Sequence, residues 1–286
     1  MDQITAQNIQ ANLSEYWAPR LRVEVLDEVV STNTLLKTRG AEGAPAGTVV
    51  IADTQTGGKG RLGRSFYSPN HTGLYISVLL RPSDMNPAKA LHITTMAAVA
   101  ACEAIEDVAE DSVSRPMIKW VNDIILEDRK VAGILTESAI NATSGKIDFA
   151  VLGIGLNVYA PEGGFPEEIK EIAGAILPIE IEGARSRLAA AFLNHFFERY
   201  ACVSNSENEA KQNQILDEYV KAYKARSIVL GKSVNVIPTG GGERRTAQVL
   251  DITDDCNMLV AYTDGECEEA MLSSGEVSIR PIGEIK

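Results

Sequence analysis

Lys119-Trp120-Val121-Asn122-Asp123-Ile124-Ile125-Leu126-Glu127-Asp128-Arg129-Lys130-Val131-Ala132-Gly133-Ile134-Leu135-Thr136-Glu137 is the stretch on which the fold turns. β-Branched and apolar residues dominate it between short polar interruptions, so it reads as strands over 117–120, 123–127 and 130–138. The last two form a hairpin turned at Glu127-Asp128-Arg129. A fourth strand, 147–158, follows and contains Leu152-Gly153-Ile154-Gly155-Leu156-Asn157-Val158, an apolar run interrupted by two glycines.

Toward the N-terminus, residues 1–20 read as a short polar helix, and Leu21 to Leu26 alternate with the period of two of a half-buried strand. Ser31-Thr32-Asn33 offers a helix N-cap, Thr48 to Ala52 reads as a buried strand, and Leu74 to Leu80 as another. Asn86 and Pro87 open a helix whose Leu91, Thr95, Val99, Cys102 and Ile105 repeat at helical spacing, as core packing does. Toward the C-terminus, 184–203 and 207–224 carry helical patterns. From Ser227 short strands separated by Gly-rich and Asp-rich turns predict a small β-barrel. With 286 residues, the chain has room for one large domain and one small one, divided here as 1–226 and 227–286.

The formal charge of −12 argues against generic binding to nucleic acid, which draws its affinity from Lys and Arg against phosphate. The first thirty residues lack the regions of a signal peptide, and no apolar run approaches a bilayer span, so a soluble, cytoplasmic protein with no membrane partner is expected. Cys102, Cys202, Cys256 and Cys267 are too few and too far apart for a disulfide scaffold and read as reduced. His71, His92 and His195 show no ligand spacing, and no structural metal is assigned.

Chemistry concentrates in three places. Gln55-Thr56-Gly57-Gly58-Lys59-Gly60-Arg61-Leu62-Gly63-Arg64 sets three cations among four glycines, a composition that brings backbone N–H groups and positive charge close to a phosphate. Gly58-x-Gly60-x-x-Gly63 is no dinucleotide fingerprint, because no helix follows it, and the Walker pattern is absent. Alone, this stretch reads equally well as a basic surface loop. Lys130, on a strand just after a tight turn with Gly133 beside it, can hold a fixed charge toward an acyl phosphate; alone it reads as a solvated strand lysine. Gly153 and Gly155 mark either a bulge or a close approach, and Asn157 can both donate and accept.

The ordered combination Ser31-Thr32-Asn33, Gln55 with Gly58-Lys59-Gly60-Arg61-Leu62-Gly63-Arg64, Lys119-Trp120-x-Asn122-Asp123, Lys130-x-x-Gly133 and Gly153-x-Gly155-x-Asn157 resembles the biotin–protein ligase family over roughly 25–160. Gly275 to Arg280 is similar to the end of its C-terminal barrel. The resemblance implies an α+β fold: a mixed β-sheet catalytic domain with helices packed on one face, plus a small SH3-like β-barrel. It implies that biotin is activated with ATP and Mg²⁺ and passed to a lysine of a biotin carboxyl carrier domain of a biotin-dependent carboxylase. By position, Ser31, Thr32, Asn33 and Gln55 line the biotin site, Gly58, Lys59, Gly60 and Arg61 close over it, and Gly133 keeps its floor low. Lys130 and Arg61 act on the reacting carboxylate and α-phosphate, with Arg64 and Asn157 on the nucleotide side. Leu62 stands where some members have a basic residue, and Phe66 where some have tryptophan.

Only about twenty residues precede the first strand, too few for the winged helix of members that repress transcription, so no DNA binding is expected. A lipoate–protein ligase of the same fold and a non-catalytic biotin or adenylate sensor are the competing readings. An exposed sheet edge leaves a homodimer open.

Overall fold

The computed structural model describes residues 2–82, 85, 87, 90–109, 114–204, 209–239, 241–265, 268–273 and 277–281; Asn86, Cys267, Gly275 and Glu276 lie outside them. A seven-stranded mixed sheet forms the body, in the order β1 (Arg22–Val29), β2 (Thr48–Gln55), β3 (Gly73–Leu80), β7 (Ile147–Asn157), β6 (Arg129–Ile140), β5 (Asp123–Leu126) and β4 (Met117–Lys119). Only β1 and β2 run parallel; every other neighbouring pair is antiparallel. The β5–β6 turn is made by Glu127 and Asp128 at φ 50 and 62, the doubly left-handed geometry that matches strand twist in a two-residue hairpin.

The period of two along the central strands assigns the faces. On one face Ile76, Val78, Leu80, Leu152, Ile154 and Leu156 bury against α3 (Leu91–Ala109) and α4 (Ala184–Ser204), which α1 (Ala6–Asn12) and α5 (Glu209–Arg226) extend. On the other, Val50, Leu79, Phe149 and Val151 pack against Leu36 of α2 (Thr32–Ala41). The helices thus gather on one face apart from α2, and β3, covered on both sides, is buried at every position. Among the described residues no helix is long and apolar enough to cross a membrane.

After α5 comes a five-stranded antiparallel sheet, ordered β11 (Glu269–Leu272), β10 (Met258–Tyr262), β9 (Arg245–Ile252), β8 (Ser233–Pro238) and β12 (Val277–Pro281). Its outer strands β11 and β12 do not pair among the described residues, so the expected barrel is present as an open sheet. Its core is continuous with the body, since Val234, Val249, Met258 and Val260 share one apolar cluster with Trp120 and α3. Bonds cross the junction as well: Trp120 Nε1 donates to Cys256 O (3.0 Å), Ile228 N to Ile118 O (3.0 Å) and Lys224 Nζ to Asp251 Oδ2 (3.1 Å). Cys102, Cys202 and Cys256 are free, and burial pushes the Cys102 thiol up to about 12.

A buried ionic knot ties the chain's first residues to the start of α4. Arg185 and Asp2 are each 1% exposed. Arg185 Nη1 donates to Asp53 Oδ1 (2.6 Å) and Gly73 O (3.2 Å), and its Nε donates to Asp2 O (3.1 Å). The Asp2 carboxylate accepts from Tyr159 Oη (2.8 Å), Gly183 N (2.9 Å) and Arg185 N (2.9 Å).

Candidate functional site

Odd-numbered residues of β7 face α2. Phe149 and Val151 fill the space beneath the helix, but Gly153 and Gly155 come next with no side chain, and a cavity opens over them. Close approach fixes both glycines. A Cβ on Gly153 would lie 2.1 Å from Asn33 Oδ1, and one on Gly155 2.5 Å from the Phe66 ring. Gly153→Ala is expected to force Asn33 off its partners and to destabilise the fold by about 1–3 kcal/mol. In a chain of roughly this size that lowers the melting temperature by about 2–4 °C per kcal/mol. A thermal melt superimposable on that of the wild type would contradict the assignment.

Asn33 and Thr32 reach the cavity from the first turn of α2, which starts there because Ser31 caps it, its Oγ accepting from Thr34 N at 3.5 Å. Thr32 N donates to Gln55 Oε1 (2.9 Å), and Gln55 Nε2 donates to Ser68 Oγ (3.1 Å). Asn33 Nδ2 donates to Glu137 Oε2 (3.1 Å) and Leu135 O (3.3 Å), while Lys37 Nζ holds Glu137 Oε1 at 2.7 Å. Burial raises the Glu137 carboxyl, but the hydrogen bonds from Lys37 and Asn33 outweigh it and leave the group below its ordinary value. Stabilisation from a lowered carboxylate is complete above the unfolded-state value and is lost only as pH falls through the folded one, so this bond stands throughout the neutral range.

Lys130 arrives by an irregularity. Ile124 pairs with Ala132 but Ile125 with Lys130, which leaves Val131 as the extra residue of a bulge. Val131, Ala132 and Ile134 all bury in the helix-side core, and Lys130 is turned to the opposite face, its Nζ 3.1 Å from where a Gly133 Cβ would stand and 5.9 Å from the centre of the Phe66 ring. Asp123 Oδ1 holds that Nζ at 2.7 Å. The glycine-rich loop folds back on itself, with Gly60 N donating to Arg64 O (2.7 Å) and Phe66 N to Gly58 O (2.9 Å) around a 3₁₀ turn at Arg61–Gly63. Arg61 Nη1 then reaches Asn122 Oδ1 (3.0 Å), and Asn122 Nδ2 is fixed by Ile134 O (2.9 Å). Burial lowers the Arg61 guanidinium from its usual value, with the charge of Asp123 pulling the other way.

The fold therefore gathers Ser31, Thr32, Asn33, Gln55, Lys59 and Gly133 around one cavity, with Lys130 against its floor. Gly58 lines a second cavity, and Phe66 walls both; the first is about 30 Å³ and the second about 440 Å³. Gly60 and Arg61 lie in the loop above, Arg64 is exposed on it, and Asn157 continues the Gly153–Gly155 row, its Nδ2 donating to Gly174 O at 3.0 Å. Sequence reasoning gave no role to Ser77 or Glu137, and it quoted Asn122 and Asp123 within the Lys119-Trp120-x-Asn122-Asp123 motif without pairing them to the two cations. Ser77 carried a signal of its own, as the hydroxyl inside the apolar run Leu74–Leu80.

Comparison with known proteins points to one family. The model of the Biotin/lipoate A/B protein ligase family matches residues 25–157. The chain is 37% identical over 150 residues to the Bifunctional ligase/repressor BirA of Bacillus subtilis, a match covering 52% of this chain and 44% of that protein. It thus spans less than half the length of that relative. It is 30% identical over 223 residues to the Biotin--[acetyl-CoA-carboxylase] ligase of Mycobacterium tuberculosis, covering 77% of this chain and 76% of the other. Among solved structures, the biotin protein ligase from Aquifex aeolicus in complex with biotin and ATP superimposes with a TM-score of 0.70 at 26% identity, over 91% of this chain and 99% of that one.

Proposed function

The chain belongs to the biotin/lipoate protein ligase family, among the biotin ligases, and from that premise we propose that it is an ATP-dependent biotin–protein ligase. It activates biotin as biotinyl-5′-AMP and transfers it to a lysine of a biotin carboxyl carrier domain. What carries this reading is the meeting of Lys130 and Arg61, each held by a residue of one short segment, Asp123 and Asn122, beside a cavity edged with hydrogen-bonding groups.

In the first half-reaction the biotin carboxylate attacks the α-phosphorus of ATP and pyrophosphate leaves. Lys130 and Arg61 offset the negative charge that builds on the α-phosphate oxygens, and fixed cations in a partly buried site do this with little reorganisation. Asp123, which holds Lys130, is the residue that would bind the Mg²⁺ accompanying ATP, and the ion would supply positive charge for the leaving phosphates. A single carboxylate with substrate phosphates fits the way Mg²⁺ is held in nucleotide sites. In the second half-reaction the carrier's lysine amine attacks the mixed anhydride and expels AMP. Ser31, Thr32, Asn33, Gln55 and Gly133 hold biotin, Gly58 to Arg61 cover it, and Arg64 and Asn157 serve the nucleotide. Phe66 lies across the cavity and has to swing aside for biotin to enter, since about 30 Å³ takes little more than a water molecule. Residues 1–226 would then form the catalytic unit, with 227–286 as its C-terminal partner.

The test is pyrophosphate release from ATP by the purified chain with biotin, with lipoate and with neither, followed by biotin transfer to a purified carrier domain. Release with biotin is expected. Release with lipoate alone would move the chain to the sister activity, and release with neither would leave a sensor.

A further inference from the structure

Three lysines stand around the site, and two of them are held. Lys37 Nζ lies 2.7 Å from Glu137 Oε1, and Lys130 Nζ 2.7 Å from Asp123 Oδ1. Lys59 differs from both. It lines the cavity that opens over Gly153 and Gly155, it is exposed, and its ammonium makes no hydrogen bond or ion pair among the described residues. Glu137 feels its charge without touching it. The backbone beneath is fixed, because Lys59 bridges to Ser65 where the loop folds back. Phe66 N donates to Gly58 O (2.9 Å) on one side of that bridge and Gly60 N to Arg64 O (2.7 Å) on the other. A Cβ on Gly58 would stand 2.4 Å from Phe66 O, so the fold-back has no slack. A rooted backbone thus carries an unheld amine on a flexible four-carbon stem at the cavity wall.

A lysine amine is the group that the second half-reaction consumes. Lys59 lines the cavity assigned to biotin and stands two residues from Arg61, so it shares the space in which the carbonyl is activated. We propose that Lys59 is an acyl acceptor built into the chain, and that with no carrier bound the ligase biotinylates itself there. The amine attacks the carbonyl carbon of bound biotinyl-5′-AMP. A C–N bond forms, the bond from that carbon to the phosphate oxygen breaks, AMP leaves with the electron pair, and the surplus proton of the amine passes to water. Lys37 and Lys130 have first to part from their carboxylates; Lys59 has none to leave. Attack within one complex is favoured by proximity over attack from solution, and a docked carrier lysine competes for the same carbon. The inference rests on the biotin–ligase reading and adds to it a second destination for the acyl group.

The full chain is incubated with biotin, ATP and Mg²⁺ in the absence of a carrier, pyrophosphate is followed, and the peptides are mapped by mass spectrometry. A single biotinyl group is expected on Lys59, at least about 10-fold above any other lysine, and a purified carrier domain should suppress it by about 10-fold or more. Lys59→Arg keeps a cation at the wall without an attacking amine, so label counted per adenylate formed should fall at least about 10-fold. A longer, tagged Lys130→Ala chain mixed in at equal amount should stay unlabelled, since it makes little adenylate of its own. Label spread over many lysines, equal label on both chains, or pyrophosphate release with no label on Lys59 would each overturn the proposal and leave the ligase reading standing. No pyrophosphate release with biotin would instead sink the ligase reading, and this inference with it.

Discussion

Lys130→Ala is expected to slow biotin-dependent pyrophosphate release by on the order of 10²–10³-fold, the usual consequence of removing one fixed donor from a developing oxyanion. The side chain is unusually constrained for a lysine on a strand: a bulge turns it, Asp123 holds its ammonium at 2.7 Å, and the bare backbone of Gly133 leaves it room. Its removal leaves the Asp123 carboxylate partly solvated, so the melting temperature should move little. Lys130→Arg is no rescue, because a planar fork cannot occupy the slot above Gly133 that an ammonium fills. A loss smaller than about tenfold would mean that Arg61 carries the charge stabilisation by itself.

Arg185→Met is expected to cost about 3–5 kcal/mol of stability, because it leaves Asp2 and Asp53 without the cation that compensates their burial. In thermal unfolding that corresponds to a fall of roughly 6–20 °C for a chain of this order of size. Tyr159 Oη and two backbone N–H groups remain on the Asp2 carboxylate and place the result toward the lower end. A fall of less than about 3 °C would show that the knot is solvated in solution. The side chain of Arg185 bonds to Asp2, Asp53 and Gly73, none of which is assigned to the site, so activity measured well below the transition should persist.

Much of this arrangement was legible in the residues. Ser31 reads as an N-cap and is one; the strands read at 21–26, 74–80 and 147–158 lie within or nearly coincide with β1, β3 and β7; and Glu127-Asp128 makes the predicted hairpin. These features depend on local period and turn chemistry, which a sequence displays directly. The pairing of each cation with its partner was not legible. A strict period of two puts Lys130 on the same face as Ala132 and Ile134, inside the core, and only the bulge at Val131 takes it out. Nothing local to Leu74–Leu80 says that Ser77 meets Asn33, because the two lie 44 positions apart and touch only once α2 is laid over β3. The placement of α2 apart from the other helices escaped for the same reason.

The bond from Trp120 to the C-terminal sheet ends on a main-chain carbonyl, that of Cys256, in a turn where Cys256 has φ 63. This bond makes its demand on the path of the backbone, while the buried Cys256 thiol answers separately to Thr95 and Tyr219. In evolutionary terms, residue 256 is held to small side chains that fit the core and keep a left-handed turn, and glycine would keep that turn with less strain. Exchanging this sheet between relatives should succeed or fail on the shape of that one turn, since Trp120 stands two and three residues ahead of Asn122 and Asp123. A graft that misplaced the carbonyl would be felt at both cations, in a part of the chain the graft never touched.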